Sequence, residues 1–251
     1  MSPRLFLATL GAILVLLLSG CSLGPPRESA IQGFGRDLTA TFVDGGNALI
    51  LGGAMATGML LDSSTLGNQE DRVARYFDDH DFIPNGVGRQ LDTLGSGLFL
   101  MSAAGVWYGG ARVWGDSHDQ EASMSMLSAL TITGATTLGS KALFNDGRPN
   151  GSSGGYPSGH SSMAMAAASS LGESYGWKVG LPAYLGALLV AVQRLDSRRH
   201  DLDDVIGGMA LGYVVGTSVT ARRMPTLLGA EVVPIVNPGS GEYGLALEWN
   251  F

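Results

Sequence analysis

The chain has 251 residues, of which 45% are hydrophobic and only 15% are charged, and 38 are glycine. This length is enough for one sizeable core, or for a core with a small appendage. The formal net charge of −7 argues against a nucleic acid partner, because binding to a phosphate backbone needs a basic surface. It does not exclude an anionic substrate, since the charge of a pocket is local.

The N-terminal residues have the features of a secretory signal peptide. Arg4 precedes an apolar run over 5–18, and small residues follow that run. The run leads into Leu-Ser-Gly-Cys at 18–21, which resembles the lipobox of bacterial lipoproteins, where the cysteine becomes the lipid-modified first residue of the mature chain. Cys21 is the only cysteine, so intramolecular disulfides are excluded. We expect a lipoprotein signal peptide over 1–20; an uncleaved signal anchor is the alternative.

The predicted lipid on Cys21 has consequences for location. It would anchor the chain to a membrane through a tether over 21–45. Ser22 rather than aspartate follows the cysteine, and the similarity to such lipoproteins then implies sorting to the outer membrane. The expected location is a bacterial cell envelope, with the protein lipid-anchored and facing the periplasm.

Six apolar segments rich in glycine and alanine follow the tether. Their lengths predict helices rather than strands, and β-branched residues do not dominate them. They cover 46–61, 95–114, 123–144, 160–175, 179–195 and 203–221. The polar connection between the first two is expected to hold a short amphipathic helix around 69–77. Gly208, Gly212 and Gly216 share one face of the last segment, which permits close helix contact.

The tail has a different character from the rest of the chain. Two β-leaning runs flank Asn-Pro-Gly-Ser-Gly at 237–241 and predict a β-hairpin appendage over 225–251. The expected fold class is therefore all-α, a helical bundle over 46–224 with a short C-terminal β-hairpin. Several apolar segments carry polar residues or fall short of the roughly 20 residues that a membrane span needs. A compact helical domain tethered by lipid is favoured over a set of spans.

A glycine-rich turn places a histidine at the start of the fourth apolar segment. The turn, Gly-Gly-Tyr-Pro-Ser-Gly-His at 154–160, places Ser158, Gly159 and His160 at a helix N-terminus. The first N–H groups of a helix lack partners within the helix, and the helix dipole is positive there. This position therefore favours the binding of an anion. Gly159 leaves the backbone uncovered for close approach. Ser158 can cap the helix, donate to an anion, or do both.

Two cations precede this turn. Lys141 ends the third apolar segment and Arg148 follows after a short loop, only ten residues before Ser158. Arginine presents a planar fork that suits phosphate oxygens, while lysine supplies a point charge. For Lys141 alone, a favourable position at a helix C-terminus is the alternative interpretation.

A histidine and an aspartate stand four residues apart at the start of the last apolar segment. His200 and Asp204 therefore share one helix face, where the carboxylate can accept from one ring nitrogen and leave the other with its lone pair. A neutral imidazole held in this way is a good nucleophile or base. A surface contact within the helix is the alternative. Arg194 ends the preceding apolar segment.

Taken together, these pieces resemble the phosphatidic acid phosphatase type 2 (PAP2) superfamily, which also contains bacterial class A acid phosphatases and vanadium haloperoxidases. The first family motif, lysine, six residues and Arg-Pro, is matched from Lys141 to Pro149. The second, Pro-Ser-Gly-His, is matched from Pro157 to His160. The resemblance covers about 141–204, and the upstream helices fit the helical bundle of the family.

The third family motif is Ser-Arg, five residues, histidine, three residues and aspartate. Arg194, His200 and Asp204 match it, but Gln193 replaces the serine. In the family that serine helps to bind the phosphate. Glutamine can also donate a hydrogen bond but is longer, so we expect an altered substrate preference or a lower rate.

The resemblance implies hydrolysis of phosphoric esters without a metal or other cofactor, through a phosphohistidine intermediate. His200 would be the nucleophile, Asp204 would fix its tautomer, and His160 would protonate the leaving oxygen and then activate water. The implied phosphate-binding residues are Lys141, Arg148, Ser158, Gly159 and Arg194. Vanadate shares the geometry of phosphate and is expected to fit the same site.

The nature of the substrate stays open at this point. The predicted anchor keeps the site beside a bilayer and favours a lipid phosphate, such as phosphatidate or an isoprenyl diphosphate. Small soluble monoesters, vanadate-dependent halide oxidation and a non-catalytic envelope lipoprotein are the alternatives. His80, in Phe-Asp-Asp-His-Asp-Phe at 77–82, lies among three aspartates, but the spacing of a calcium-binding hand is missing, so a solvated acidic turn is favoured over a metal site. His118 is likewise expected at the surface.

Overall fold

The computed structural model describes residues 30–62, 69–80, 82–144, 147–223, 226–227, 230–237 and 242–248. The predicted signal peptide, Cys21 and the first part of the tether lie outside these residues. The helices are α1 Ala30–Val43, α2 Gly45–Asp62, α3 Gln69–Asp79, α4 Asn85–Leu94, α5 Gly97–Trp114, α6 Ser117–Phe144, α7 Gly159–Tyr175, α8 Trp177–Asp196 and α9 Leu202–Arg223. The strands are β1 Thr226–Leu227, β2 Ala230–Asn237 and β3 Glu242–Glu248.

The predicted helical bundle is confirmed. The six apolar segments form α2 and α5 to α9, and the amphipathic piece in the polar connection forms α3. Two further helices were not expected from the sequence. Helix α1 lies in the range assigned to the tether, and α4 lies in the polar connection, where only Val87, Leu91 and Leu94 repeat at helical spacing.

Helix α7 is central to the bundle because its side chains are small. Apart from two methionines, its buried residues are alanines and serines, so neighbouring backbones can approach it closely. It packs against α5 and α6 through a cluster that includes Met101, Leu130 and Met163. On another side, Met165 packs with Val190 of α8. The N-terminus of α7, which carries the second motif, is therefore held from several sides.

Three glycines bring α9 against α7, as the sequence predicts. A Cβ atom on Gly212 would lie 2.2 Å from the carbonyl oxygen of Ser162, far inside van der Waals contact. At Gly208 the corresponding distance is 2.6 Å to the carbonyl oxygen of Ser158. A Cβ atom on Gly216 would lie 2.7 Å from the carbonyl oxygen of Ala166. Only glycine fits at such approaches, and the contact places the start of α9 beside the start of α7.

Helix α8 presents an apolar face outward. Trp177, Leu181, Leu185 and Leu189 follow one another at intervals of four residues and are all exposed. Two described helices, Trp177–Asp196 and Leu202–Arg222, are long and apolar enough to cross a membrane by length and composition. The apolar window of the second is 61% buried within the protein, as in the core helix of a soluble domain, against 33% for the first.

The C-terminal residues form a small antiparallel sheet in the order β1-β2-β3. Strands β2 and β3 correspond to the two β-leaning runs of the tail, and they pair from Glu231 opposite Glu248 to Asn237 opposite Glu242. The two-residue strand β1 adds to the other edge of β2. The turn at 238–241 lies outside the described residues.

Candidate active site

The second motif forms the N-terminus of α7. Ser158 is the N-cap: its hydroxyl oxygen accepts a hydrogen bond from the hydroxyl of Ser161 at 3.0 Å and a longer one from the Ser161 N–H at 3.4 Å. The Ser158 N–H donates to the carbonyl oxygen of Asp204 at 2.9 Å. Gly159 and His160 occupy the first turn. The hydrogen bond from the Ser158 N–H to the Asp204 carbonyl oxygen joins the second motif directly to the third.

The cations of the first motif both bind the loop that leads to α7. Lys141 Nζ donates to the carbonyl oxygens of Gly154 and Gly155, the latter at 2.8 Å. Arg148 donates to the same Gly154 oxygen through Nε and Nη2, both at 3.1 Å. Gly154 has φ +76°, a conformation that favours glycine. The two cations therefore fold the loop back on itself and lie next to the α7 N-terminus.

The third motif holds a buried histidine–aspartate pair. His200 Nδ1 lies 2.8 Å from Asp204 Oδ2, and the two side chains are only 4% and 1% exposed. Between α8 and α9 the chain turns through Arg198 at φ +52°, and the N–H groups of Arg199 and His200 donate to the carbonyl oxygen of Arg194. With Nδ1 bonded to the carboxylate, Nε2 is the ring nitrogen that keeps a lone pair.

The charges of the three cations act on this histidine. Burial lowers the pKa of His200, and the positive charges of Lys141, Arg148 and Arg194 lower it further, far below its ordinary value. His200 is therefore neutral at physiological pH, as a nucleophile must be. The shared effect on one imidazole shows that the first and third motifs meet in space.

The second histidine belongs to the same group. Burial, the charge of Arg194 and the charge of His200 lower the pKa of His160, while Asp92 raises it, so that the pKa lies at about 4. Each of the three sequence motifs thus contributes titratable or charged groups to one site. The structure brings together all the non-lipid site residues that the sequence predicts.

Asp92 is a component of this site that the sequence analysis missed. Its Oδ1 accepts a hydrogen bond from Arg194 Nη2 and lies 3.3 Å from His160 Nε2. Asp92 is on α4, a ten-residue helix inside a stretch that the sequence marks only as polar. The helical spacing of Val87, Leu91 and Leu94 was the available signal for α4, but nothing local points Asp92 at residues about 70 and 100 positions away in the chain.

Gln193, which replaces the family serine, binds Arg194. Its Oε1 accepts hydrogen bonds from Arg194 Nε, at 2.7 Å, and from Nη2. Gln193 is buried. The glutamine thus uses its acceptor oxygen to hold the guanidinium, whereas the sequence suggested its donor for phosphate.

The two other histidines lie among aromatic rings. His80 stacks on Tyr76 with ring centroids 4.8 Å apart, and its Nδ1 bonds to the carbonyl oxygen of the same residue. His80 is exposed, as predicted. His118 contacts the ring of Tyr175 edge-on at 5.1 Å, and it is only partly exposed.

Comparison with known proteins agrees with this geometry. Residues 150–225, which contain the second and third motifs, match the family model of the PAP2 superfamily. The fold is similar to the crystal structure described as the first transmembrane PAP2 type phosphatidylglycerolphosphate phosphatase from Bacillus subtilis, with a TM-score of 0.59. The two chains are 16% identical, and the match covers 70% of this chain and 94% of the other. A search of curated proteins gave no match.

These findings confirm the PAP2 resemblance that the motifs predict. At 16% identity the structural likeness establishes the fold, and the family match covers the part of the chain that supplies His160, Arg194, His200 and Asp204. Residues 150–225 therefore match the PAP2 superfamily in sequence, and the fold of the chain is similar to that of a PAP2-type structure. The particular activity that both findings support is that of a PAP2-type phosphatase.

Proposed function

We propose that this protein is a metal-independent phosphoric ester hydrolase that transfers the phosphoryl group of a lipid phosphate first to His200 and then to water. One observation carries the proposal: the buried His200–Asp204 pair, at 2.8 Å, lies within the field of three cations that come from two separate motifs. A neutral imidazole surrounded by cations is suited to attack an anionic phosphorus centre. A structural histidine has no need of this arrangement.

In the first step, His200 Nε2 attacks phosphorus and the bond from phosphorus to the ester oxygen breaks. His160 gives its proton to that oxygen, so an alcohol leaves and His160 becomes neutral. Asp204 accepts the Nδ1–H bond and stabilises the positive charge of the phosphorylated ring. In the second step, His160 takes a proton from water, the hydroxide attacks phosphorus, and the nitrogen–phosphorus bond breaks. Phosphate leaves and both imidazoles return to their starting states.

The phosphoryl oxygens would be bound by the cations and by the start of α7. The proposed ligands are Lys141, Arg148, Arg194, the Gly159 N–H and the Ser158 hydroxyl. Transition-state charge develops on the same oxygens, so donors fixed in advance lower the barrier. The hydrogen bonds that Lys141 and Arg148 donate to Gly154, and those that Arg194 donates to Gln193, hold these side chains in place before substrate arrives.

A lipid substrate is favoured by the surface next to the site. Arg194 lies in the last turn of α8, the helix whose outer face carries the exposed residues Trp177, Leu181, Leu185 and Leu189. An exposed apolar face is costly in water and suits a membrane, and the membrane-type PAP2 neighbour agrees with association of this kind. Phosphatidate, an isoprenyl diphosphate and a phosphorylated glycerolipid are the substrates to test first. The predicted lipid on Cys21 would place the enzyme in the periplasm at the outer membrane.

The decisive assay compares lipid phosphates in detergent micelles with p-nitrophenyl phosphate, each with and without a chelator. We expect phosphate release that the chelator does not reduce, with lipid phosphates hydrolysed faster. No hydrolysis of any ester by folded protein would refute the proposal and favour a non-catalytic envelope lipoprotein. Oxidation of bromide by peroxide after vanadate is added would instead identify a haloperoxidase.

The intermediate can be trapped with two matched variants. p-Nitrophenolate leaves without needing a proton, so His160→Ala should still form the phosphoenzyme from p-nitrophenyl phosphate but release it slowly. A radioactive phosphoryl label that is stable to alkali and labile to acid is then expected on His160→Ala. The label should be absent from His200→Ala. A label that persists on His200→Ala would assign the nucleophile elsewhere.

A further inference from the structure

Asp92 lies between two groups that the proposed mechanism uses. A single oxygen, Oδ1, accepts from Arg194 Nη2 and faces His160 Nε2 at 3.3 Å. The Arg194 side chain is 3% exposed and that of Asp92 is 47% exposed. Asp92 thus covers the buried guanidinium from the solvent side.

The position of Asp92 is set by close packing of α4 on α8. A Cβ atom on Gly95, directly after α4, would lie 2.5 Å from Val190 Cγ1. Gly88, within α4, is also near α8, with its ideal Cβ position 4.0 Å from Gln193 Nε2. These contacts lie before and after Asp92 along the chain, so α4 holds the carboxylate over the end of α8.

We propose that Asp92 is a positioning residue of the phosphatase site: its carboxylate favours the protonated form of His160 and occupies an Arg194 donor until a phosphoryl group displaces it. The inference rests on the function proposed above, because it assigns Asp92 a part in that reaction. The first effect aids protonation of the leaving group. The second makes phosphate binding a competition between two anions for one guanidinium.

The charges around the pair favour this role. His160 faces Arg194 and His200, whose charges oppose its protonation, as burial also does. It also faces Asp92, which favours its protonation. Burial alone would raise the pKa of Asp92, but the hydrogen bond and charge of Arg194, with the charges of His160 and Arg199, outweigh burial and lower it. Arg194 therefore favours the carboxylate form of Asp92.

The test is Asp92→Asn, which keeps the shape of the side chain and removes its charge. The pKa of His160 is measured by NMR titration of the four histidines, assigned with a His160→Gln variant, and orthophosphate affinity is measured by calorimetry. An opposite charge at this distance shifts a pKa by one unit or more, so we expect the pKa of His160 to fall by about one unit. We also expect orthophosphate to bind about tenfold more tightly, since the competing carboxylate is gone.

Turnover provides a second signature. In Asp92→Asn, kcat should fall and the alkaline limb of the pH–rate profile should move to lower pH, because His160 loses its proton earlier. Tighter phosphate binding together with slower turnover is not what a damaged fold produces. Asp92→Glu should restore the pKa of His160 toward that of the wild type. Asp78→Asn is the matched control, because it removes a carboxylate that pairs with Arg198 at 3.2 Å on the surface.

The results separate this inference from the proposed function. Unchanged titration of His160 and unchanged orthophosphate affinity in Asp92→Asn would overturn the inference, even if the enzyme is active. If the wild type hydrolyses no ester while the pKa and the affinity change as expected, the proposed function fails and the coupling of Asp92 to His160 stands. Asp92→Ser provides the same test if the asparagine variant does not fold.

Discussion

Replacing Asp204 by asparagine tests the buried pair on which the mechanism depends. Asp204 Oδ2 lies 2.8 Å from His200 Nδ1, and both side chains are almost fully buried. Asparagine has nearly the same shape, so packing is retained while the negative charge is lost. The amide can also present its NH₂ group to the ring, which would favour the wrong tautomer of His200 for attack.

The magnitude follows from the distance. When His200 carries the phosphoryl group it is positive, and two opposite unit charges about 3–4 Å apart attract by about 4–6 kcal/mol at an effective dielectric constant of about 20. The amide dipole and solvent recover part of this energy. Since each 1.36 kcal/mol is a factor of ten in rate, we expect kcat to fall by roughly three orders of magnitude.

The assay is steady-state hydrolysis of p-nitrophenyl phosphate, with orthophosphate binding measured separately. Orthophosphate should still bind Asp204→Asn, because the three cations are untouched. Asp203→Asn removes the same charge one residue earlier, and its kcat is expected to stay within a few-fold of the wild type. If Asp204→Asn retains more than about a tenth of the wild-type kcat, the histidine–aspartate pair does not carry the reaction and the reasoning is refuted.

Three further predictions address pH, packing and phosphate binding. Because the pKa of His160 is lowered to about 4, kcat/KM should fall as pH rises through that value and the acid form is lost. The bound phosphoryl anion raises the pKa of His160, so kcat should fall at a higher pH than kcat/KM does. The same pH dependence for kcat and kcat/KM would contradict this. Gly212→Ala should lower the free energy of unfolding by about 1–3 kcal/mol by overpacking against Ser162, whereas Gly109→Ala, with open space around it, should leave thermal stability unchanged or raised. Arg148→Lys should lower kcat/KM by at least tenfold, since lysine cannot reproduce the paired Nε and Nη2 bonds to Gly154; unchanged kinetics would remove Arg148 from the site.

Much of the site could be predicted because its components are local in sequence. The interval of four residues between His200 and Asp204 places them together on any helix, and the pair is found at hydrogen-bond distance. The glycines at 208, 212 and 216 share a face for the same reason, and the structure shows that face against α7. The six apolar segments of helical length likewise form helices.

The tertiary structure alone decided which distant groups meet. Asp92 reaches Arg194 across 102 positions in the chain, and Gln193 directs its oxygen to Arg194 rather than its donor to a ligand. The Asp92 contact has no local signature, because it depends on how closely α4 approaches α8 after the helices pack. Gln193 and Arg194 are neighbours in the chain, but the sequence does not show which end of the amide faces the guanidinium. Spacing along a helix determines which side chains share a face, but only the packing of helices determines what that face will touch.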